Sequence, residues 1–314
     1  MSGRNILITG GAGFIGSHLA TRFADLGHAI RVFDNFATGT RENLAHVSGR
    51  LEIVEGDLRQ PDQCDHACRD MDVVFHIAAL PSVPVSVERP AETHDVNITG
   101  TFNLLMAART HRCERVIYAG SSSCYGDTEV SPKHEGLLPG PLSPYAAQKL
   151  TGEYYMRVFY QCWGVKTLTT RYFNVFGPRQ NPKSQYAAVI PAFITAMLDD
   201  RQPTVFGDGM QTRDFTYIDN IVHAYMLALD AEGLAGQVVN IACGNRITLL
   251  EIIDRINAVL GKDIRPVFDA PRAGDVRHSC ADISAARELL KFEPVVDFDD
   301  GLKRTIDYFS SLPT

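Results

Sequence analysis

The sequence lacks several features that would assign it to other classes of protein. No apolar run approaches the ~18 residues that a membrane-spanning helix needs. The start of the chain lacks the cationic, apolar and small-residue order of a signal peptide. Positive charge is not in excess, since 30 Lys and Arg face 37 Asp and Glu and the net charge is −7. We therefore expect a cytoplasmic protein whose main partner is neither nucleic acid nor a membrane.

The cysteines lack the spacing of a metal site or a disulfide framework. There are seven, an odd number, and they are scattered along the chain. Cys64 and Cys68 have no second pair of ligand-type residues near them, so no metal is expected. Free thiols in a reduced compartment fit this pattern best. Low-complexity linkers and internal repeats are also missing, and the 314 residues predict about two ordinary domains.

The first half of the sequence alternates strand and helix patterns. Its strands are short runs rich in Val and Ile without polar alternation, as in strands that are covered on both faces. Repeated strand–helix units predict an α/β fold with a Rossmann-type doubly wound parallel sheet. After Arg171 the loops lengthen and a smaller α+β region is predicted. The predicted strands of the sheet are Asn5–Thr9, Ala29–Phe33, Leu51–Glu55, Val73–His76, Val116–Ala119 and Lys166–Thr170.

A glycine-rich loop joins the first predicted strand to the first helix. Its glycines at positions 10, 13 and 16 permit a tight turn and a close approach of the backbone to a pyrophosphate at the helix N-terminus. Asp34 ends the second strand, 18 residues beyond Gly16. A carboxylate there can bind both ribose hydroxyls and repels a 2′-phosphate, and Asn35 follows where an NADP site would more often offer arginine. The pattern favours NAD over NADP.

The segment from Ser143 to Lys149 places a phenol and an ammonium four residues apart at a helix start. Ser143 can cap the first turn, and Pro144 suits the first helical position. Tyr145 and Lys149 then share one helix face, where the cation favours a phenolate that can remove a proton from an alcohol. Such pairs also arise by chance on many helices, so the surrounding motifs decide their meaning.

Taken together, these motifs resemble the extended short-chain dehydrogenase/reductases, and among them the UDP-hexose 4-epimerases. The resemblance covers nearly the whole chain and is strongest to the branch that acts on UDP-N-acetylglucosamine. It implies a NAD-binding Rossmann domain over 1–172 and approximately 217–243, and a nucleotide-sugar-binding domain over 173–216 and 244–314. The matching motifs are Thr-Gly-x-x-Gly-x-x-Gly, Asp34-Asn35, Asp57-Leu58, Asn97, the serines before Tyr125-Gly126, Tyr145-x-x-x-Lys149, Arg171-Tyr172-Phe173-Asn174, Arg213-Asp214 and Arg272-x-Gly274-Asp275.

The resemblance implies a reaction and a role for each catalytic residue. Tyr145 would take the proton of the sugar 4-hydroxyl while hydride leaves C4 for tightly bound NAD. Lys149 would lower the pKa of Tyr145 and hold the nicotinamide ribose, and Ser121 would hydrogen-bond the 4-oxygen. The 4-keto sugar would rotate, and hydride would return to its other face. The enzyme would thus be an isomerase that needs no second substrate.

The resemblance also implies two sets of binding residues. The cofactor set is Gly10, Gly13, Phe14, Ile15, Gly16, Asp34, Asn35, Gly39, Asp57, Leu58, Ala78, Ala79, Asn97, Tyr145, Lys149 and Tyr172. The substrate set is Ser121, Ser122, Ser123, Asn174, Ala188, Val189, Val205, Arg213, Arg272, Asp275 and Ser279. Arg213 and Arg272 suit the diphosphate, and Asp275 the uridine ribose.

Small residues discriminate among related reactions and substrates. Ser122 and Ser123 stand where related dehydratases and decarboxylases carry carboxylates, which disfavours elimination and decarboxylation. Ser279 stands where strict glucose/galactose epimerases carry tyrosine, so we expect interconversion of UDP-GlcNAc and UDP-GalNAc, with UDP-Glc and UDP-Gal as further substrates. UDP-glucuronate stays an alternative, although the loop 81–86 has no basic residue and Val85 replaces an arginine common in the N-acetyl branch.

Two further expectations concern the whole protein. The family's usual dimer surface corresponds to helices predicted at Glu92–Thr110 and Pro144–Cys162, which predicts a homodimer. Tyr154, Val158 and Phe159 offer apolar surface there, although they could instead cover the protein's own sheet. A non-catalytic NAD(P)-sensing protein is a remote alternative, because such proteins usually lose the Tyr–Lys pair.

Overall fold

The computed structural model describes residues 3–182, 188–271 and 277–312. Strands and helices alternate through the first 172 residues, as the sequence pattern predicts. The strands, in chain order, are β1 Asn5–Thr9, β2 Ala29–Asp34, β3 Leu51–Glu55, β4 Val73–His76, β5 Arg115–Ser121, β6 Lys166–Tyr172, β7 Val175–Phe176, β8 Thr204–Phe206, β9 Thr212–Arg213, β10 Thr216–Tyr217, β11 Gln237–Ile241, β12 Ile247–Thr248 and β13 Val267–Asp269.

The helices cover both faces of the sheet and build the second region. They are α1 Phe14–Asp25, α2 Pro61–Cys68, α3 Val83–Glu88, α4 Pro90–His94, α5 Gly100–Thr110, α6 Pro144–Trp163, α7 Val189–Leu198, α8 Ile218–Asp230, α9 Leu249–Leu260, α10 Ser284–Leu290 and α11 Phe298–Ser310. A π-helical turn, Asp95–Thr99, joins α4 to α5, and 3₁₀ turns lie at Arg41–Leu44 and Ser122–Tyr125. In the described part of the chain, no helix has the length and apolarity to cross a membrane.

Seven strands form one parallel sheet in the order β3-β2-β1-β4-β5-β6-β11. The predicted Rossmann-type fold is confirmed. The chain winds outward from β1 in both directions, so the order reverses between β1 and β4. In open α/β sheets a ligand crevice lies at such a reversal, beyond the carboxyl ends of the strands. The topology therefore places the glycine loop after β1 and the small residues Ala78 and Ala79 after β4 on the two sides of one crevice.

Two apolar layers hold the helices against the sheet. Helices α2, α5 and α6 pack on one face through buried residues such as Leu104, Met156 and Phe159. Helices α1 and α8 pack on the other face, and their core continues without a break into the second region through Phe176 and Phe298. All seven cysteines are free thiols, as expected. The shared core fixes the second region relative to the sheet.

The second region is built from three short strand pairs rather than one sheet. β7 pairs with β10 in parallel, β9 with β12 antiparallel, and β8 with β13 in parallel. Each pair joins segments that lie about 35 to 65 residues apart in the chain, as register partners Val175 and Thr216 or Val205 and Phe268 illustrate. A two-stranded pair has little stability of its own. Packing of α7, α9 and α11 around these pairs therefore supports them.

Candidate active site

The start of helix α6 holds the expected phenol and ammonium in place. The Ser143 hydroxyl accepts the Ala146 N–H at 3.2 Å, and Pro144 occupies the first turn. The predicted cap is thus confirmed. The Tyr145 N–H, which an α-helix leaves without an internal partner, donates to Ser86 Oγ at 3.0 Å on α3. Ser86 was not anticipated from the sequence, and it ties the catalytic helix to the loop after β4.

The Tyr145 side chain is half-buried beside Ser121, at the carboxyl end of β5. A hydrogen bond from Ser121 lowers the pKa of Tyr145, but burial outweighs it and raises that pKa to about 12. The expectation that Lys149 brings this pKa down is not met by the chain alone. The reason is desolvation, which penalises a buried phenolate. Tyr145 therefore needs additional positive charge beside it before it can act as a base near neutral pH.

Lys149 lies one turn further along α6, and its ammonium is buried. It donates to the Ala119 carbonyl oxygen at 2.9 Å. Burial lowers the pKa of Lys149 to about 8, while the nearby Glu153 and Cys124 oppose this shift. The lysine therefore stays mainly cationic at neutral pH. Glu153 itself is held by two hydrogen bonds from Arg171, at 2.9 and 2.7 Å, so its carboxylate is already neutralised.

The three serines after β5 form a compact turn next to Tyr145. Ser121 Oγ and Ser123 Oγ lie 2.8 Å apart, and the Ser123 N–H donates to Ser121 Oγ at 3.2 Å. Ser123 therefore orients the Ser121 hydroxyl, while Ser122 is half-buried beside it. Ser121 also caps the 3₁₀ turn that follows it.

The glycine loop leaves the N-terminus of α1 open to an anion. No side chain caps α1, whereas Ser143, Thr248 and Asp297 cap α6, α9 and α11. Gly10 has φ +67°, and a Cβ on it would lie 2.8 Å from Ala78 Cα. A Cβ on Gly16 would lie 2.7 Å from Gly11 Cα. The loop thus needs glycine for its own closure, and its free N–H groups fit the pyrophosphate of a dinucleotide.

Asp34 and the segment that follows it fold back onto the glycine loop. Its carboxylate accepts the Ala12 and Phe36 N–H groups, each at 2.9 Å, and burial raises its pKa. The Thr40 N–H donates to the Ala12 carbonyl at 3.0 Å, and Gly39 lies so close to Ala12 that a Cβ would be 2.6 Å from its carbonyl carbon. This arrangement leaves acceptor capacity on Asp34 for ribose hydroxyls.

Other expected cofactor residues line the crevice less directly. Ala78 follows β4 against Gly10, with Ala79 next to it. The Asn97 side chain accepts the Leu80 N–H and donates to the Leu80 carbonyl and to Gln148 Oε1. Its amide is therefore bonded to the protein itself. Three more of the expected cofactor residues also contact the protein itself. The Arg59 guanidinium binds Asp57 and lowers its pKa, Leu58 lies in the core, and the Tyr172 hydroxyl donates to Tyr225.

A cavity of about 350 Å³ opens in the second region. Four expected substrate residues line it, namely Asn174, Ala188, Val189 and Arg213. Val205 does not, because its side chain is fully buried in the core. Its neighbours Thr204 and Phe206 face the cavity instead, together with Phe193, Gln211 and Phe215. These five residues were not predicted from the sequence. Phe206, directly before the Gly207-Asp208-Gly209 turn, is the one that the sequence could have indicated.

A buried carboxylate organises the wall of this cavity. Asp214 accepts N–H groups from Cys243, Gly244 and Ala281 at 3.0 to 3.1 Å, and burial raises its pKa to about 6. Asn174, at φ +34°, donates from Nδ2 to the Asp214 carbonyl at 3.0 Å. Asp214 thereby connects β9, the loop after β11 and the segment near Ser279.

The remaining expected substrate residues belong to the segment that pairs with β9. Arg213 donates to the carbonyl oxygens of Thr212 and Arg277. Ser279 is buried, and its N–H donates to the Thr212 carbonyl at 3.1 Å. Arg272 and Asp275 lie outside the described residues. Ser279 is therefore held next to β9, whose Arg213 lines the cavity.

Comparison with known proteins agrees with this geometry. A crevice suited to a dinucleotide, beside a Tyr–Lys pair on one helix face, fits an enzyme that uses a nicotinamide cofactor. Residues 6–242 match the model of the "NAD dependent epimerase/dehydratase family". The chain belongs to that family. The expected class, an isomerase of the NAD-dependent epimerase type, is confirmed, and NAD is its cofactor.

Three relatives are similar over nearly their whole length. The UDP-glucose 4-epimerase of Mycolicibacterium smegmatis is 36% identical, covering 96% of this chain and 97% of its own. The structure of the UDP-N-acetylglucosamine 4-epimerase of Methanobrevibacter ruminantium M1, in complex with UDP-N-acetylmuramic acid, has a TM-score of 0.95 at 39% identity and 99% coverage of both chains. The structure of the UDP-glucuronic acid 4-epimerase of Bacillus cereus, in complex with UDP-glucuronic acid and NAD, has a TM-score of 0.90 at 34% identity. It covers 98% of this chain and 99% of its own.

Proposed function

We propose that the protein is a UDP-sugar 4-epimerase that interconverts UDP-GlcNAc and UDP-GalNAc and also accepts UDP-Glc and UDP-Gal. The observation that carries the reaction is the position of the Tyr145 phenol beside Ser121, with the buried Lys149 ammonium one turn further along α6. The same arrangement lies beside the uncapped N-terminus of α1. A proton acceptor and a dinucleotide site in one crevice support reversible oxidation of a sugar alcohol.

The chain's own residues move and hold one proton. Tyr145 Oη takes the proton of the sugar 4-hydroxyl, and Ser121, oriented by Ser123, donates to the developing 4-oxygen. NAD⁺, when bound, would supply the hydride acceptor for C4 and a positive charge in the crevice. Lys149 and that charge would together oppose the burial that raises the pKa of Tyr145. Tyr145 keeps the proton until the 4-keto sugar has turned, and then returns it.

The cavity of the second region suits the nucleotide end of the substrate. Three aromatic side chains, Phe193, Phe206 and Phe215, supply apolar walls for a base. Arg213 lies at the edge, where a guanidinium fits a diphosphate. Arg272 and Asp275 are proposed as further contacts to the diphosphate and the uridine ribose. A pocket of mostly apolar walls with a few polar groups is typical of a nucleotide site.

The choice of sugar depends on the small residue at position 279. Ser279 is buried, and its N–H donates to the Thr212 carbonyl oxygen, next to Arg213 of the cavity wall, so its side chain is proposed to face the sugar. A serine leaves room for a 2-N-acetyl group that a tyrosine would fill. The high similarity to the Methanobrevibacter ruminantium enzyme, which acts on UDP-N-acetylglucosamine, supports this assignment.

UDP-glucuronate is the second candidate, because the Bacillus cereus relative is nearly as similar in structure. A carboxylate at C6 would need cations or several donors. The loop 81–86 has no basic residue, and its Ser82 and Ser86 hydroxyls already serve α3 and Tyr145. The observations therefore favour a neutral sugar. A non-catalytic NAD(P)-sensing role has no support, since Tyr145 and Lys149 are both present, one turn apart on α6.

We propose that the protein forms a homodimer through the exposed faces of α5 and α6. Tyr154 and Val158 on α6 are 58% and 40% exposed, and Phe102 on α5 and Trp163 at the end of α6 are exposed beside them. Phe159 is buried against the protein's own sheet, so it belongs to the core. Sedimentation would show a single species of twice the chain mass, and a monomer at micromolar concentration would contradict this.

The function is tested by incubating the protein separately with UDP-GlcNAc, UDP-Glc and UDP-GlcA without added NAD⁺. Formation of UDP-GalNAc is expected, because bound NAD is regenerated in each cycle. Ser279→Tyr should reduce turnover of the acetylated sugars by about 10²-fold while UDP-Gal is still turned over, since a pocket discriminates well against added bulk. Ser284→Tyr, on the exposed start of α10, is the control. Turnover of UDP-GlcA alone would overturn the sugar assignment.

A further inference from the structure

The buried ammonium of Lys149 lies over an aromatic ring. Lys149 Nζ is 4.8 Å from the centroid of the Tyr118 ring, on strand β5. This is within the ~6 Å over which a ring face attracts a cation, and such attraction is stronger where water is excluded. Both residues are buried, at 3% and 1% exposure. The adjacent Ala119 carbonyl accepts from the same ammonium. Two consecutive residues of β5 therefore contact the charge.

The helix is shaped to admit this ring. Gly152 lies three residues after Lys149 on the same face of α6, and a Cβ there would come within 2.5 Å of Tyr118 Cζ. A glycine within a helix costs about 0.5–1 kcal/mol relative to alanine. Its presence here allows the ring to press against the helix backbone. The close approach keeps the ring directly beneath the ammonium.

The hydroxyl of Tyr118 does not explain the position of the ring. Within the described residues, it is a buried oxygen without a hydrogen-bond partner. Burial also raises the pKa of Tyr118 well above its usual value, so the side chain is a neutral phenol. An unsatisfied buried hydroxyl is unfavourable. The ring face, rather than the hydroxyl, is therefore what this residue supplies to its surroundings.

Other charged groups around Lys149 are engaged elsewhere or neutral. Glu153, from the same helix, is paired with Arg171 of β6. Cys124 lies in apolar surroundings that raise its thiol pKa, and His76, on β4, is fully buried with its pKa lowered to about 3. The ammonium thus faces no free carboxylate from any of these elements. The ring and one carbonyl oxygen are its direct stabilising contacts.

We propose that Tyr118 is a positioning residue for the catalytic pair: its ring face keeps the Lys149 ammonium charged and directed at the site. The proposal rests on the proposed function. The pair Tyr145 and Lys149 shares one proton when singly deprotonated. The productive arrangement is phenolate with ammonium, and the unproductive one is phenol with neutral amine. Burial favours the neutral arrangement, and the ring stabilises the charged one.

The test compares Tyr118→Leu with Tyr118→Phe. Leu removes the ring face and should lower kcat about tenfold or more while KM for the UDP-sugar stays within about twofold, because the proton equilibrium changes and the binding surface does not. The alkaline limb of the kcat profile should move to lower pH by about one unit. Phe keeps the ring and should retain both the profile and kcat. Gly152→Ala, which displaces the ring from the helix side, should act in the same direction as Leu.

The Lys149 pKa can be measured by NMR titration of ¹³C-labelled lysine ε carbons, with the Lys149 signal assigned through Lys149→Met. This measurement separates the role of Tyr118 from the epimerase assignment. It needs no substrate, so it tests the ring even if the protein turns over none of the sugars. The Lys149 pKa should fall in Tyr118→Leu and stay in Tyr118→Phe. An unchanged Lys149 pKa in the leucine variant, or equal losses of kcat in the Leu and Phe variants, would overturn the role of the ring.

Discussion

The cofactor half and the nucleotide-sugar half of the crevice are built in different ways. In the cofactor half, functional groups follow directly after buried parallel strands, as the glycine loop follows β1 and Asp34 ends β2. In the other half, Arg213 and Ser279 meet only because short segments far apart in the chain pair with each other. A site made from contiguous motifs has its geometry set locally, whereas a site made from distant pairings depends on the whole core.

The two halves also treat charge differently. The cofactor half buries a bidentate ion pair, Arg171 with Glu153, at 4% and 2% side-chain exposure. The other half has a pair of the same bidentate geometry, Arg287 with Glu293, at 53% and 63% exposure. Charges taken out of water must be paired, while exposed pairs contribute little. Loss of one partner is therefore expected to cost more stability in the buried pair than in the exposed pair.

The largest expected effect is the loss of the base in the cofactor half. Tyr145→Phe should lower kcat by about 10³-fold, since proton transfer to a placed side chain contributes 10²–10⁴-fold. Affinity for the UDP-sugar should change little, because the nucleotide is proposed to bind in the other half. Tyr154→Phe, on the exposed face of the same helix, is the matched control. Steady-state kinetics and calorimetric binding measure the two quantities, and a kcat near that of the parent protein would refute the assignment.

The next effect compares the two bidentate ion pairs. Arg171→Leu should lower the free energy of unfolding by about 3–5 kcal/mol, because it leaves the Glu153 carboxylate buried without its partner. Arg287→Leu should cost less than about 1 kcal/mol. Urea unfolding of both variants measures the difference. Equal losses of unfolding free energy in the two variants would mean that burial does not make the Arg171–Glu153 pair more important for stability than the Arg287–Glu293 pair.

A third comparison uses one glycine in each half. Gly16→Ala places a Cβ against the backbone of the glycine loop and should weaken NAD retention about 10²-fold. Gly209→Ala, at φ +74° and close to Leu250 near the cavity, should raise KM for the UDP-sugar about tenfold. Each variant should leave the other ligand's binding largely intact. NAD content after purification and KM for the sugar nucleotide are the measurements, and loss of both ligands in either variant would contradict the division.

The smallest effect is a pH dependence of stability from His76. Its folded-state pKa of about 3 lies below the usual 6.5, so the folded protein holds it neutral. Its stability contribution is therefore complete above pH 6.5 and is lost as the pH falls, because only the unfolded state then binds the proton. The free energy of unfolding should drop by about 2 kcal/mol between pH 6.5 and 4.5 through this residue.

The control for this prediction lies in the other half. His76→Asn should remove that part of the pH dependence, and His278→Asn, at an exposed site, should leave it in place. Unfolding by urea at a series of pH values gives the slopes. An acid loss that is the same in the His76 variant would show that other groups account for it.

The parts that were predicted from the sequence are those with local causes. The strand–helix alternation, the cap Ser143, the glycine loop and the shared face of Tyr145 and Lys149 follow from residue periods and backbone conformations. The role assigned to Val205 did not follow, because alternation along β8 sends Val205 into the core and turns Thr204 and Phe206 to the cavity. The strand is only three residues long, and such a pattern is too short to read from sequence.

The amino-acid sequence by itself determined the fold and the cofactor and predicted Tyr145 and Lys149 as the catalytic pair, since each rests on residues that are close in the chain. The tertiary structure alone decided how that pair is tuned. Burial raises the pKa of Tyr145 instead of lowering it, and the carboxylate nearest to Lys149 is neutralised by Arg171 from another strand. These effects depend on which groups are excluded from water together, and that is a property of packing rather than of local sequence.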